Sequence, residues 1–284
     1  MPVWGEAAVA ATARRVRLAL DPRRRRFGAG NRLGAGPGAS LEFHDHRAYV
    51  AGDDLRHLDW GVYARSDQLV LRRHRVEVSP TVEILLDASL SVAVVPAKAA
   101  LVATLTGLLA TLAEADGTRP RLWAFTDEAR RLGAAGAGAW RAELRSLHCA
   151  GAAGLLARPP ALAPGSERLL VSDGLVPSGG AAVVRALGGG AGRIALIQVL
   201  SRAELAPTPL GAVRLEDVEG GVIDLVHDQA AVSAYRERLA RHQAGWQAAL
   251  SGRGAGVITC VVEDGLDAAV DALSRAGVLT ARAG

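Results

Sequence analysis

Val82-Glu83-Ile84-Leu85-Leu86 is a short, almost wholly apolar run, and Asp87-Ala88-Ser89-Leu90-Ser91 follows it directly. A run of this length and composition predicts a strand that is buried on both faces of a sheet. The segment after it places one carboxylate and two hydroxyls at the carboxyl end of that strand. Because ligands of open α/β sheets bind at this end, we expect the functional site there.

The chain beyond residue 81 repeats this alternation of short apolar runs and helical patterns. The rhythm predicts an α/β fold of Rossmann type, with a central, mostly parallel sheet and helices on both faces. Gly220-Gly221 lies between two further β segments, 212–217 and 221–226, and indicates a hairpin. The predicted strands are 82–86, 121–125, 168–171, 194–200 and 257–262, and the predicted helices are 97–114, 139–147, 179–188, 228–250 and 264–276.

A second strand also ends in polar residues, because Ser172-Asp173-Gly174 follows the run 168–171. Carboxyl ends of parallel strands meet at one edge of a sheet, so we expect Asp87, Ser89, Ser91 and Asp173 to converge. Carboxylate and hydroxyl oxygens suit a hard divalent cation such as Mg²⁺, which also keeps several waters. An acidic side chain of a partner protein could replace one of those waters.

The first 80 residues have a different character and predict an N-terminal extension with β segments. Residues 6–20 favour a helix, Arg23 to Arg26 begin a basic linker rich in glycine, and 69–78 reads as a strand. This extension has 14 arginines against 9 acidic residues and holds all the excess positive charge of the chain. We therefore divide the chain into an extension, 1–80, and an α/β domain, 81–284.

Composition excludes several classes of protein. Half of the residues are hydrophobic and 22% are charged, which is incompatible with general disorder. The chain shows no signal-peptide pattern, and Cys149 and Cys260 have no Cys-x-x-Cys spacing, so we expect free thiols in a cytoplasmic protein. A Gly-x-x-x-x-Gly-Lys-Ser/Thr loop for binding ATP is also absent from the sequence.

The two polar strand ends together resemble the metal-ion-dependent adhesion site of von Willebrand factor A domains. The resemblance implies that Ser89 and Ser91 bind Mg²⁺ and that Asp87 and Asp173 act largely through water. It also implies a threonine from an intervening loop. The loop expected to supply it, 149–155, contains no hydroxyl side chain, so the resemblance predicts a partly degenerate site.

The segment from Ser40 to Trp60, with Ala64-Arg65 and Leu69-Val70-Leu71-Arg72, resembles the signature of the bacterial domain of unknown function 58 family. Signature and core together cover residues 28–279. Members carry a von Willebrand factor A-like domain, which this resemblance places at 81–284. They are commonly linked with MoxR-type AAA+ ATPases, so such an ATPase or its client is the implied partner. His46 and Ala51 depart from the family pattern.

The signature concentrates three carboxylates and an arginine beside a tryptophan, and two roles are open. The groups either cap a turn in a charge-assisted network or contact a partner directly. The residues concerned are Asp53, Asp54, Arg56, Asp59, Trp60 and Arg65.

The sequence thus favours a non-catalytic interaction module over an enzyme. Ser89 and Ser91 lack the Gly-x-Ser-x-Gly surroundings of a nucleophile. One alternative is a divalent-metal-dependent phosphoester hydrolase built on the clustered carboxylates, and another is a zinc site that includes His44 and His46. A third is a nucleic-acid or anionic-surface binder that uses Arg23 to Arg26.

Overall fold

The structure is a computed structural model that describes residues 4–20, 41–55, 58–76, 81–118, 120–126, 128–151, 159–217, 220–254 and 256–282. The chain forms two units. The sheet unit comprises residues 1–20 and 80–284, and the signature unit comprises residues 21–79.

The described residues form the following elements, in chain order. They are α1 (Glu6–Ala13), β1 (Val16–Leu18), β2 (Leu41–Ala48), α2 (Trp60–Ser66), β3 (Val70–Val76), β4 (Val82–Asp87), α3 (Leu90–Ala93), α4 (Pro96–Ala115), β5 (Pro120–Phe125), β6 (Ala129–Leu132), α5 (Ala139–Arg145), β7 (Glu167–Ser172), α6 (Gly179–Gly188), β8 (Arg193–Leu200), α7 (Arg202–Leu205), β9 (Gly211–Asp217), β10 (Gly221–His227), α8 (Gln229–Leu250), β11 (Gly256–Val261), α9 (Gly265–Arg275) and β12 (Leu279–Ala281).

The central sheet has six strands among the described residues, in the order β11-β8-β7-β4-β5-β6. Only β6 is antiparallel to its neighbour. Numbered along the chain, the strand order is 3-2-1-4-5-6, which is that of the Rossmann fold, and the order reverses between β4 and β7. The predicted α/β class is confirmed, as are the five predicted core strands, each to within one residue at either end. The edge strand β6 was not predicted.

Helices cover both faces of the sheet because successive strand side chains point in opposite directions. On one face, Ile84 of β4 lies in a core cluster with α4, α9 and the N-terminal segment. On the other, Leu85 lies in a cluster with Trp246 of α8 and with α6. Helix α4 is long and apolar enough to cross a membrane, yet 78% of that stretch is buried inside the protein, as in a central core helix.

The N-terminal segment differs from the prediction. The helix expected over residues 6–20 ends at Ala13, and β1 then pairs with β12 at the other end of the chain. Trp4 is buried, and the N–H of Gly5 donates to Thr104 of α4 over 2.9 Å. Described residues 4–20 therefore belong to the sheet unit, whereas the boundary predicted at residue 80 assigns them to the extension. In β1, the apolar Val16 and Leu18 are buried in the core.

Strands β9 and β10 form the predicted hairpin, with Leu215 paired to Ile223. Most of its side chains are exposed. In the signature unit, β2 and β3 form a second antiparallel pair, and the short helix α2, which the sequence did not predict, lies between them in the chain. The basic run Arg23 to Arg26 lies outside the described residues.

Two helix-interior glycines provide a test of the N-terminal packing. A Cβ added to Gly107 of α4 would lie 2.6 Å from two ring carbons of Trp4, whereas one added to Gly245 of α8 meets no atom within 4 Å. We expect Gly107→Ala to lower the free energy of unfolding by about 1 to 3 kcal/mol through overpacking. Gly245→Ala should raise it by up to about 1 kcal/mol through helix propensity. Urea unfolding measures both, and equal effects would argue against the packing of Trp4 on α4.

Candidate functional site

The predicted site lies where the strand order of the sheet reverses. Asp87 ends β4 and Asp173 directly follows β7, its neighbour in the sheet. At such a switch point the connections leave in opposite directions and open a crevice above the carboxyl ends of the strands. The two predicted aspartates therefore lie at the ends of neighbouring strands.

Asp87 is almost fully buried and accepts hydrogen bonds on both carboxylate oxygens. Its Oδ1 receives the backbone N–H of Ser89 at 3.0 Å and the Ser89 hydroxyl at 2.7 Å, and its Oδ2 receives the Ser172 hydroxyl at 2.5 Å. The Ser89 and Ser91 Oγ atoms lie 2.9 Å apart. Ser172, which was not among the predicted site residues, thus joins the two strand ends directly.

Asp173 faces a cation that belongs to the protein itself. The Nζ of Lys98, in the first turn of α4, donates to Asp173 Oδ2 over 3.1 Å and to Glu204 Oε1 of α7 over 2.7 Å. The other oxygen of Asp173 accepts the N–H of Leu175 at 3.0 Å. Lys98 and Asp173 are buried, and the side chain of Glu204 is 25% exposed. Neither Lys98 nor Glu204 was predicted from the sequence.

Burial and charge shift the proton affinities of this cluster. Burial, aided by the nearby charge of Asp173, raises the pKa of Asp87 to about 6, although the serine hydrogen bonds oppose the shift. Burial alone would lower the pKa of Lys98, but the charges of Asp173 and Glu204 outweigh it, so the pKa is raised. Burial alone would raise the pKa of Glu204. The hydrogen bonds from Lys98 and Ser201 outweigh this effect, so the pKa is lowered. Lys98 and Glu204 are therefore an ion pair at neutral pH.

The loop expected to supply a threonine reaches the site through its backbone. The N–H of Ala150 donates to the carbonyl of Ala88 over 2.9 Å, and the N–H of Leu90 donates to that of Gly151 over 3.0 Å. Burial and the charge of Asp87 raise the pKa of the Cys149 thiol. Residues 152–158 lie outside the described part of the chain. Residues 149–151 hold the loop against the site but contribute no hydroxyl.

The residues present match only part of the magnesium site that the resemblance implies, because the loop at 149–155 has no hydroxyl side chain. Both oxygens of Asp87 and of Asp173 already accept hydrogen bonds from the protein. The hydroxyls of Ser89 and Ser91 are the direct ligands that remain from the predicted set, and both are neutral. Among the described residues, no three His, Cys, Asp or Glu side chains are grouped to hold a metal. Binding of Mg²⁺ stays a prediction.

A family model described as "Protein of unknown function DUF58" matches residues 45–245. The chain belongs to the DUF58 family. None of the curated proteins compared with it matches.

Three solved structures are similar to this DUF58 chain. The conserved hypothetical protein BatB from Bacteroides thetaiotaomicron is 18% identical with a TM-score of 0.37, covering 70% of this chain and 98% of its own. A von Willebrand factor type A protein from Catenulispora acidiphila is 14% identical with a TM-score of 0.36, and the match covers 74% of this chain and 44% of that protein. An aerotolerance-related membrane protein from Bacteroides fragilis NCTC 9343, with multiple mutations to serines, is 20% identical with a TM-score of 0.30. This match covers 56% of the DUF58 chain and 87% of the membrane protein.

In the DUF58 signature, two aspartates have structural contacts. Asp59 caps α2, because its Oδ1 accepts the N–H groups of Gly61 and Val62 at 3.0 and 3.1 Å. Asp53 accepts from Arg47 at 2.8 Å and from the N–H of Val50 at 2.9 Å, and the bond from Arg47 lowers its pKa most. These contacts support the turn-capping alternative for Asp53 and Asp59.

The remaining signature residues differ in how far the structure describes them. Trp60 is 60% exposed, and its ring meets that of Tyr63 edge-on at 6.1 Å, so a contact with a partner stays open for it. Arg65 lies exposed in the last turn of α2. Asp54 is half-buried, and Arg56 lies outside the described residues.

The zinc alternative does not gain support from the described residues. His46 Nε2 lies 2.9 Å from Asp59 Oδ2, so this histidine supports the carboxylate that caps α2. His57 and the side chain of His44 lie outside the described part.

The raised pKa of Asp87 predicts a specific pH dependence. A carboxyl that titrates near 6 in the folded chain and near its ordinary 3.8 in the unfolded chain holds its proton longer when folded. It therefore contributes stability below about pH 4 that is lost as the pH rises to about 6. We expect the stability of the wild type relative to Asp87→Asn to fall across this window, as measured by urea unfolding. The exposed Asp224, whose pKa Arg214 lowers, provides the control, and Asp224→Asn should not show this fall.

Proposed function

We propose that this DUF58 chain is a non-catalytic protein-interaction module, and that it works as an adaptor for an AAA+ ATPase of the MoxR type in the cytoplasm. The von Willebrand factor A-like sheet would be the scaffold, and its carboxyl edge a partly degenerate adhesion site. The family resemblance supports the choice of partner. The chain has no nucleotide-binding loop of its own, so the energy for any remodelling would come from that partner.

The observation that carries the proposal is the exposed aliphatic surface of the β9–β10 hairpin. On one face, Leu215 pairs directly with Ile223, and these side chains are 49% and 63% exposed. The adjacent cross-strand pair, Val213 and Leu225, extends the apolar strip, but these two side chains are half-buried. Exposed apolar surface such as that of Leu215 and Ile223 is typical of protein-binding sites.

The opposite face of the hairpin is less suited to a partner. There the exposed Val222 and Val226 are separated by Asp224, which forms a two-bond ion pair with Arg214 at 2.7 and 3.0 Å. A partner that covered this face would have to bury the ion pair at a desolvation cost. We therefore place the contact on the face of Leu215 and Ile223.

The carboxyl edge of the sheet supports a role in binding over a role in catalysis. A nucleophile needs an adjacent base and access to substrate. Ser89 is 1% exposed, and its hydroxyl donates a hydrogen bond to Asp87, which also accepts one from the Ser172 hydroxyl. His242 on α8 has its Nε2 2.6 Å from the carbonyl oxygen of Gly174, the residue after Asp173. These contacts orient and stabilise the edge without preparing a reactive side chain.

Two alternatives stay predictions. The carboxylates at the switch point are the feature that favours a metal-dependent phosphoester hydrolase, and activity in a phosphatase screen that requires divalent ions would support it. Binding to nucleic acid or an anionic surface through Arg23 to Arg26 predicts strong salt dependence that is lost when the four arginines are replaced.

The hairpin provides the direct test of the adaptor. We expect Leu215→Ser/Ile223→Ser to lower affinity for a co-expressed MoxR-type ATPase at least tenfold, because two exposed apolar anchors of about 1 kcal/mol or more are lost. Glu216→Ser, on the same hairpin, should bind as the wild type does. Co-purification followed by isothermal titration measures the difference. Unchanged binding by the double variant would remove this face from the interaction, and no binding by the wild type would reject the ATPase as partner.

A further inference from the structure

The chain contains 32 arginines and one lysine, Lys98. Such a bias towards arginine makes a lone lysine informative when it is also fully buried. Lys98 is 1% exposed and lies at the sheet edge where the family resemblance implies a metal ion. We infer that the Lys98 ammonium is the resident cation of this site: it holds the strand ends together in place of a divalent ion and keeps such an ion out.

The contacts of Lys98 suit a bridging cation. Its Nζ lies 3.1 Å from Asp173 Oδ2 and 2.7 Å from Glu204 Oε1. These carboxylates belong to different parts of the fold, one directly after β7 and the other on α7 after β8. Glu204 is itself held in position, because its Oε2 accepts the N–H of Ser201 at 2.7 Å in a capping box. The ammonium thus joins two adjacent connections at the carboxyl edge.

Lys98 is unfavourably placed without its two carboxylate partners. A positive side chain in the first turn of a helix opposes the helix dipole, and a buried one also loses its hydration. Asp173 and Glu204 offset both effects. An ammonium is a compact point charge with three donors, whereas a guanidinium is a broad planar fork that would not occupy the same volume. This difference explains a lysine here in a chain that otherwise uses arginine.

The charges of the cluster predict how it responds to metal. Asp87, Asp173 and Glu204 supply three carboxylates against one ammonium. Net charge alone would therefore favour a divalent cation. The position of Lys98 disfavours binding of a divalent cation, because the ammonium already contacts Asp173 Oδ2 and would repel a second cation beside it. The net charge of the cluster thus predicts that a divalent cation binds, and the position of Lys98 predicts that it does not. Variants can separate the two effects.

The variant Lys98→Met/Glu204→Gln removes one positive and one negative charge, so the cluster keeps the net charge of the wild type without the ammonium. We expect titration with Mn²⁺, followed by electron paramagnetic resonance, to show at least tenfold tighter binding by this variant than by the wild type. Adding Asp87→Ala should abolish the gain. If the folded variant binds Mn²⁺ no better than the wild type, the resident-cation role is wrong. Circular dichroism establishes that it is folded.

A measurement on the wild type keeps the inference testable if the variant does not fold. Because the chain has one lysine, selective ¹⁵N-lysine labelling gives a single side-chain ammonium resonance. We expect it to persist at neutral pH and to show no saturable broadening by paramagnetic Mn²⁺. Saturable broadening that disappears in Asp87→Ala would mean that an ion binds beside Lys98, and it would overturn the inference. Neither experiment includes a partner protein, so the adaptor proposal stands or fails separately.

Discussion

The hydrogen bond from the Ser172 hydroxyl to Asp87 Oδ2 joins the ends of β4 and β7, the two strands between which the sheet order reverses. A buried carboxylate must have its oxygens satisfied, and the serines around Asp87 provide the donors. This requirement fixes the turn after β4 and sets Ser89 beside Ser91. The rest of the site is arranged around that point.

A second constraint is charge. Burial, and then the charge of Asp173, raise the pKa of Asp87, because a buried carboxylate loses its hydration and a nearby negative charge repels it. Lys98 offsets part of this negative charge at Asp173 and draws Glu204 into the same network. An edge stabilised in this way can keep its shape if, as proposed, the β9–β10 hairpin contacts a partner.

Local sequence pattern was a good guide to the sheet unit. The apolar runs at 82–86 and 194–200 are long enough and flanked clearly enough to specify buried strands, and each was predicted to within one residue at either end. The pattern failed for residues 14–20. There a helical stretch and a short strand differ only in whether Val16 and Leu18 meet β12, some 260 residues away in the chain. No local signal carries that information.

The sequence by itself determined the α/β class, the polar strand ends with Asp87 and Asp173, and the lack of a hydroxyl in the loop at 149–155. Those features follow from residue type and spacing, which act over a few residues. Only the tertiary structure decided that Ser172, Lys98 and Glu204 complete the network. Lys98 and Glu204 are 106 positions apart, and their pairing depends on how helices and strands from separate crossovers meet at one edge.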